Sequence, residues 1–112
     1  MFRLAIPAWS DEGLEAKVHP RPLGAPFMIM IDLEDREIRE VHAVRNPVST
    51  FLVIGRDRSL VSWLKHKRVD VLIAPRLENN IIEKLDQWGI NAFIAEGRTV
   101  KELLDKYLAE FM

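Results

Sequence analysis

The run Phe27-Met28-Ile29-Met30-Ile31 constrains the fold more than any other feature of the chain. Five consecutive apolar residues have strand length and no alternation, so both faces of that strand must be covered. Helices on both sides of a sheet are the simplest cover. Val69 to Ala74 and Ile90 to Ala95 read as two further apolar strands. Between them Ile81, Ile82, Leu85 and Trp88 recur at helical spacing, with Asn79 or Asn80 as cap and Gly89 as the C′ residue.

The other elements follow from the same period and turn signals. Phe2 to Ile6 predicts a short first strand, stopped by Pro7. Residues Ala8 to Pro26 hold three further prolines and two glycines and read as a long irregular loop. Asp32 to Arg36 predicts a polar turn, and Glu37 to Val44 a more polar strand at the sheet edge. Asn46-Pro47 breaks the chain, and Phe51 to Ile54 is apolar without a clear assignment. Leu60, Val61 and Leu64 mark a helix capped by Asp57 or Ser59 and ending in Lys65-His66-Lys67-Arg68. Thr99 and Glu102 form a capping-box pair ahead of an amphipathic helix through Phe111. The order is β-β-β-α-β-α-β-α. Strands joined directly pair antiparallel, and strands joined through helices run parallel. The expected fold is α/β: a five-stranded mixed sheet of order 3-2-1-4-5 flanked by three helices, the ribonuclease H-like arrangement, in one domain spanning residues 1–112.

Composition narrows the function. Sixteen basic and seventeen acidic residues leave a formal net charge of -1, which gives no general pull toward nucleic acid or an anionic membrane. The absence of cysteine excludes disulfides, thiolate metal sites and a cysteine nucleophile, and removes the usual protein ligands of an iron–sulfur cluster. The short apolar start is not a signal peptide and no segment is long enough to span a bilayer, so a cytoplasmic protein is expected. High charge, no cysteine and the single Gln87 point to a thermophilic source.

In the expected topology one rim collects the carboxyl ends of four strands, where open α/β sheets bind ligands. It gathers Trp9, His19, Arg21, Arg45, Arg76 and Arg98. Four guanidiniums suit a phosphate, carboxylate or oxyanion. The competing reading pairs them with Glu12, Glu15, Glu78 and Glu96 of the same loops. His19, in the long loop, is the candidate metal ligand. His42 reads as structural and His66 as solvated. Trp9 either stacks on a ligand or folds over the core edge. Trp63 and Trp88 read as core or rim packing. The first strand lacks the acidic residue that two-metal nucleases of this fold require, and no Ser-His-Asp set or phosphate-binding glycine motif is present, so catalysis is not expected.

Several segments together carry a family resemblance. These are Leu4-Ala5-Ile6-Pro7, Lys17-Val18-His19-Pro20, Ala25-Pro26-Phe27 with Ile31-Asp32-Leu33, Glu37-Ile38 through Asn46-Pro47, Val69 through Ala74, and Gly89-Ile90 through Gly97 with Thr99, Val100 and Glu102. In order and spacing they resemble the dinitrogenase iron–molybdenum cofactor biosynthesis family, of the NifX and NifB C-terminal type. Where that family often carries Pro-His-Phe-Gly-Arg, this chain has Pro20-Arg21-Pro22-Leu23-Gly24, so Arg21 replaces the usual histidine. The glycine-rich segment before the first helix is Ser49 to Gly55 here, with one glycine. The resemblance implies a small binding or carrier protein that transiently holds an iron–molybdenum cofactor or related iron–sulfur cluster. It also implies metallocluster donor and acceptor proteins as partners, with a monomer or homodimer as the working form. The alternative is a non-catalytic interaction or regulatory domain that keeps the fold without the cluster.

Overall fold

A computed structural model describes residues 1–48 and 55–111. Phe51 to Ile54 and most of the segment before the first helix lie outside the described residues. Five strands, β1 (Phe2–Ala8), β2 (Phe27–Glu34), β3 (Glu37–Arg45), β4 (Val71–Ala74) and β5 (Asn91–Ile94), form one sheet of order β3-β2-β1-β4-β5. Three helices, α1 (Arg56–His66), α2 (Asn79–Gln87) and α3 (Val100–Phe111), complete it, as the hydrophobic pattern predicts. β1 pairs antiparallel with β2 and parallel with β4. It therefore joins the meander half of the sheet to the crossover half.

Side-chain alternation along the central strands splits the core into two layers. Leu4 and Ile6 of β1, Ile29 and Ile31 of β2, and Val71 and Ile73 of β4 pack with Val100, Leu103, Leu104 and Tyr107 of α3. Ala5, Met28, Met30 and Leu72 face the other way, toward Leu60 and Leu64 of α1 and Ile81 and Leu85 of α2. The Phe27–Ile31 run is continuous because both its faces are covered. Among the described residues β3 has no partner beyond β2, and most of its residues are exposed. That accounts for its polar composition.

Boundaries differ from the sequence expectation for identifiable reasons. β1 runs through Pro7 to Ala8, because pairing with β2 continues to Phe27 and the Pro7 carbonyl still accepts from the His19 N–H at 2.9 Å. Asp32 belongs to β2 rather than to a turn. Only Asp35 and Arg36 turn, both at positive φ (53° and 71°), the conformation of a tight two-residue hairpin. The carboxylate of Asp32 is tolerated inside a strand because Arg3 meets it twice, Nε at 2.6 Å and Nη2 at 3.0 Å. Neither α1 nor α2 has a side-chain cap, so Asp57, Ser59, Asn79 and Asn80 do not cap as expected. Asp57 instead pairs with Lys84 at 3.1 Å and accepts from Asn80, tying α1 to α2. Gly89 ends α2 at φ 75°, as a C′ glycine. The capping box forms: Glu102 N–H donates to Thr99 Oγ1 at 3.3 Å, and Thr99 N–H donates to Glu102 Oε2 at 2.8 Å.

The Arg3 hydrogen bonds hold the Asp32 carboxyl below the usual carboxylate range. A depressed folded value means that the contribution is complete above the unfolded pKa of about 4 and disappears as pH falls through the folded one. Asp32→Asn is expected to remove that part of the acid limb in a urea series run from neutral pH downward. At neutral pH Asp32→Ala is expected to cost about 2 kcal/mol. A second variant tests the packing at the start of α3. A Cβ on Gly97 would sit 2.6 Å from Leu103 Cδ1, which is fully buried, and 3.2 Å from Glu102 Cβ. Gly97→Ala is therefore expected to lower stability by about 1–2 kcal/mol in the same assay.

Candidate functional site

The long loop is more ordered than its composition suggests. Ala8 bridges Val18, and Lys17 bridges Thr99. Residues 17–18 thus form a short extended segment between the end of β1 and the start of α3. After it the chain is bracketed by the buried Asn46 and the half-buried Arg56. Asn46 donates through Nδ2 to the carbonyls of Pro22 at 2.7 Å and Ala25 at 2.9 Å. Its Oδ1 accepts from Val48 N–H at 3.1 Å. Arg56 donates to the carbonyls of Val48 and Leu23. Arg76 N–H donates to the Pro20 carbonyl at 3.0 Å, which fixes the β4–α2 turn against the same loop.

These brackets open a cavity of about 610 Å³, walled by Arg21, Gly24, Arg56, Arg76 and Glu78 with Leu23, Leu77, Ile81 and Ile94. Three guanidiniums against one carboxylate leave two net positive charges. Arg21 and Arg76 are therefore brought together, as the topology predicts. Among the described residues neither forms an ion pair, and neither do Arg45 or Arg98. The pairing with Glu12, Glu15, Glu78 and Glu96 is not made. Arg56 escaped the sequence reading. The signal was its place in the first turn of a helix, where the dipole disfavours a cation unless something else holds it.

The remaining predicted residues lie apart. Arg45 sits with its guanidinium carbon 5.3 Å from the Phe27 ring centre, outside the cavity. Trp9 and Arg98 line a second depression of about 600 Å³ with Lys17, Thr99 and Glu102. A smaller one, lined by Val18, Pro20, Pro75, Glu96, Gly97 and Arg98, shares walls with both and makes the rim a continuous trough. His19 is buried under this rim. Its ring lies 4.3 Å from that of Trp9, and a Cβ on Gly24 would come within 3.0 Å of it. Its Nδ1 accepts from Arg21 N–H at 3.0 Å, so the neutral ring carries its proton on Nε2. Burial lowers its pKa and favours that neutral form. Metal ligation through Nε2 would need the other tautomer, which gives up the Arg21 bond.

A second cluster lies on the opposite part of the sheet. Donor atoms of Asp32, Glu40 and His42 lie within 4.8 Å of one another. Asp32 is already committed to Arg3, and His42 Nε2 is 2.6 Å from Glu40, so the arrangement is a row of polar contacts from Arg3 to the edge strand. Trp63 packs partly against the α1/α2 core layer, whereas Trp88 is exposed.

The comparisons with known proteins agree with this architecture. No curated protein sequence matches the chain. Among solved structures, a candidate NifB protein from Thermotoga shares 31% identity at a TM-score of 0.78, covering 99% of this chain and 90% of that one. The apo form of the orange protein from Desulfovibrio gigas superposes at 0.83 with 24% identity, over 98% of this chain and 89% of that one. A candidate dinitrogenase from Methanocaldococcus jannaschii superposes at 0.67 with 16% identity, over 96% and 88%. The family model described as dinitrogenase iron–molybdenum cofactor matches residues 3–110. With a match over nearly its whole length, the chain belongs to the dinitrogenase iron–molybdenum cofactor family.

Proposed function

We propose that this protein is a non-catalytic carrier that holds an anionic iron–molybdenum cofactor or related metallosulfide cluster in the cavity between Arg21, Arg56 and Arg76. The observation that supports this most is the unpaired charge: two net positive charges in a cavity of about 610 Å³ with apolar walls. An ion pair about 4 Å apart at an effective dielectric near 20 is worth about 4 kcal/mol, so guanidiniums gathered in one cavity offset the desolvation of a polyanion. A cluster that brings its own sulfides needs no protein thiolate, which suits a chain without cysteine. Arg56, pinned by two carbonyls, supplies a fixed donor, while Arg21 and Arg76 are free to close on the cargo.

In this reading His19 acts through the loop. Its acceptor nitrogen fixes the backbone of Arg21, and its buried ring sets the height of the segment that carries that guanidinium. The strand order is read as the ribonuclease H-like arrangement, used here as one cytoplasmic domain that exchanges cargo with donor and acceptor proteins.

Anaerobic titration with isolated iron–molybdenum cofactor and with tetrathiomolybdate, followed by desalting and metal analysis, tests the carrier role. One cluster retained per chain is expected, with at least about tenfold weaker retention by Arg21→Ala/Arg76→Ala of unchanged circular dichroism. Equal retention by that variant, or none by the parent protein, refutes the assignment. His19 is checked separately. Its folded pKa is lowered, so the unfolded chain binds the extra proton and stability falls as pH drops below about 6.5. His19→Gln is expected to flatten that limb.

A further inference from the structure

The second depression on the rim has a different chemistry from the arginine cavity. Trp9 is 56% exposed although it lies beside the core. One side of its indole is met by the His19 ring at 4.3 Å, while the rest of the ring lines the depression. Lys17 and Arg98 stand in the same wall and form no ion pair among the described residues.

The backbone presets these groups. Trp9 N–H donates to the Lys17 carbonyl at 2.9 Å, and Val18 N–H donates to the Arg98 carbonyl at 3.0 Å. With the Lys17–Thr99 bridge, three extended segments lie side by side. Alternation puts Ala16 and Val18 into the core and Lys17 out. Trp9, Lys17 and Thr99 therefore form a cross-strand row on the outer side. The one carboxylate in the wall, Glu102, already accepts the N–H groups of Arg98 and Thr99 at 2.6 and 2.8 Å. The N–H groups of Arg98 and Thr99 are thereby occupied, Val100 N–H donates to the Ala16 carbonyl at 3.0 Å, and the cationic groups left in the depression are the Lys17 and Arg98 side chains.

The geometry points to a binding site, separate from the arginine cavity, for a planar aromatic anion of the mononucleotide class, with its ring on Trp9 and its phosphate between Lys17 and Arg98. A rigid aromatic platform with cations to one side binds a π-face and a phosphate at once. About 600 Å³ is room for a ligand of that size. The inference does not rest on the carrier reading, because Arg21, Arg56 and Arg76 do not line this site.

Isothermal titration with AMP, adenosine and inorganic phosphate tests it on the full chain. AMP is expected to bind one per chain at submillimolar Kd, with adenosine and phosphate each at least about tenfold weaker. Trp9→Ala and Lys17→Gln/Arg98→Gln are each expected to weaken AMP by about tenfold or more, at unchanged circular dichroism. The Arg21→Ala/Arg76→Ala variant keeps AMP affinity, which separates this site from the cluster cavity. Absence of AMP binding at about 1 mM overturns the inference. So does phosphate binding as tightly as AMP, or AMP affinity indifferent to Trp9→Ala.

Discussion

Arg3 joins the two halves of the sheet, and the layout of the rim depends on that junction. β1 is the one strand with an antiparallel neighbour on one side and a parallel neighbour on the other. The Arg3 guanidinium reaches Asp32 on β2 and the Lys67 carbonyl at 2.7 Å beyond α1, while its backbone N–H donates to Asp70 at 2.8 Å. One residue thus ties β2, the end of α1 and the entry to β4 to the same strand. Breaking a largely buried ion pair of this kind leaves an uncompensated charge, so it sets the register of the meander against the crossover half. With the lower edge of the sheet fixed, the carboxyl ends of β1, β3, β4 and β5 come to the opposite rim.

At that rim the chain uses side-chain hydrogen bonds to the loop backbone rather than ion pairs. Asn46 satisfies two loop carbonyls and one amide, and Arg56 satisfies two more carbonyls. Loop backbone in a buried place needs such partners. Arg56 is held by carbonyls and His19 accepts from the Arg21 amide, while among the described residues the guanidiniums of Arg21 and Arg76 form no ion pair. Two cations without a carboxylate partner suit an anion, and the proposed carrier role rests on that. The same logic, applied to Trp9, Lys17 and Arg98, gives the trough a second compartment of different shape and chemistry.

Much of this was legible in the residues. The unbroken Phe27–Ile31 run requires a two-sided sheet, the polar Glu37 to Val44 stretch suits an edge, and Thr99 with Glu102 marks the start of α3. The strand order alone puts Arg21 and Arg76 on one rim. Other features were hidden because they depend on contacts between distant segments. Asp32 reads as a turn residue until Arg3, twenty-nine positions away, is found beside it. The loop from Ala8 to Pro26 reads as irregular because its order comes from single bridges and from Asn46, not from a periodic pattern. His19 reads as a metal ligand by type and loop position, and only the Arg21 hydrogen bond shows which nitrogen is committed. Arg45 and Arg98 share the rim with Arg21 but not the cavity, a distinction that strand order cannot resolve.

The central claim is that the cargo is held by charge between Arg21 and Arg76 and not by a protein–metal bond. The most direct measurement is a crystal structure of the protein loaded anaerobically with tetrathiomolybdate, with molybdenum located by anomalous scattering. The account predicts a molybdenum peak in the cavity between the two guanidiniums, with the four sulfides retained and no protein atom in the coordination sphere. A molybdenum atom bonded to His19 Nε2, or bound away from the arginines, would contradict it.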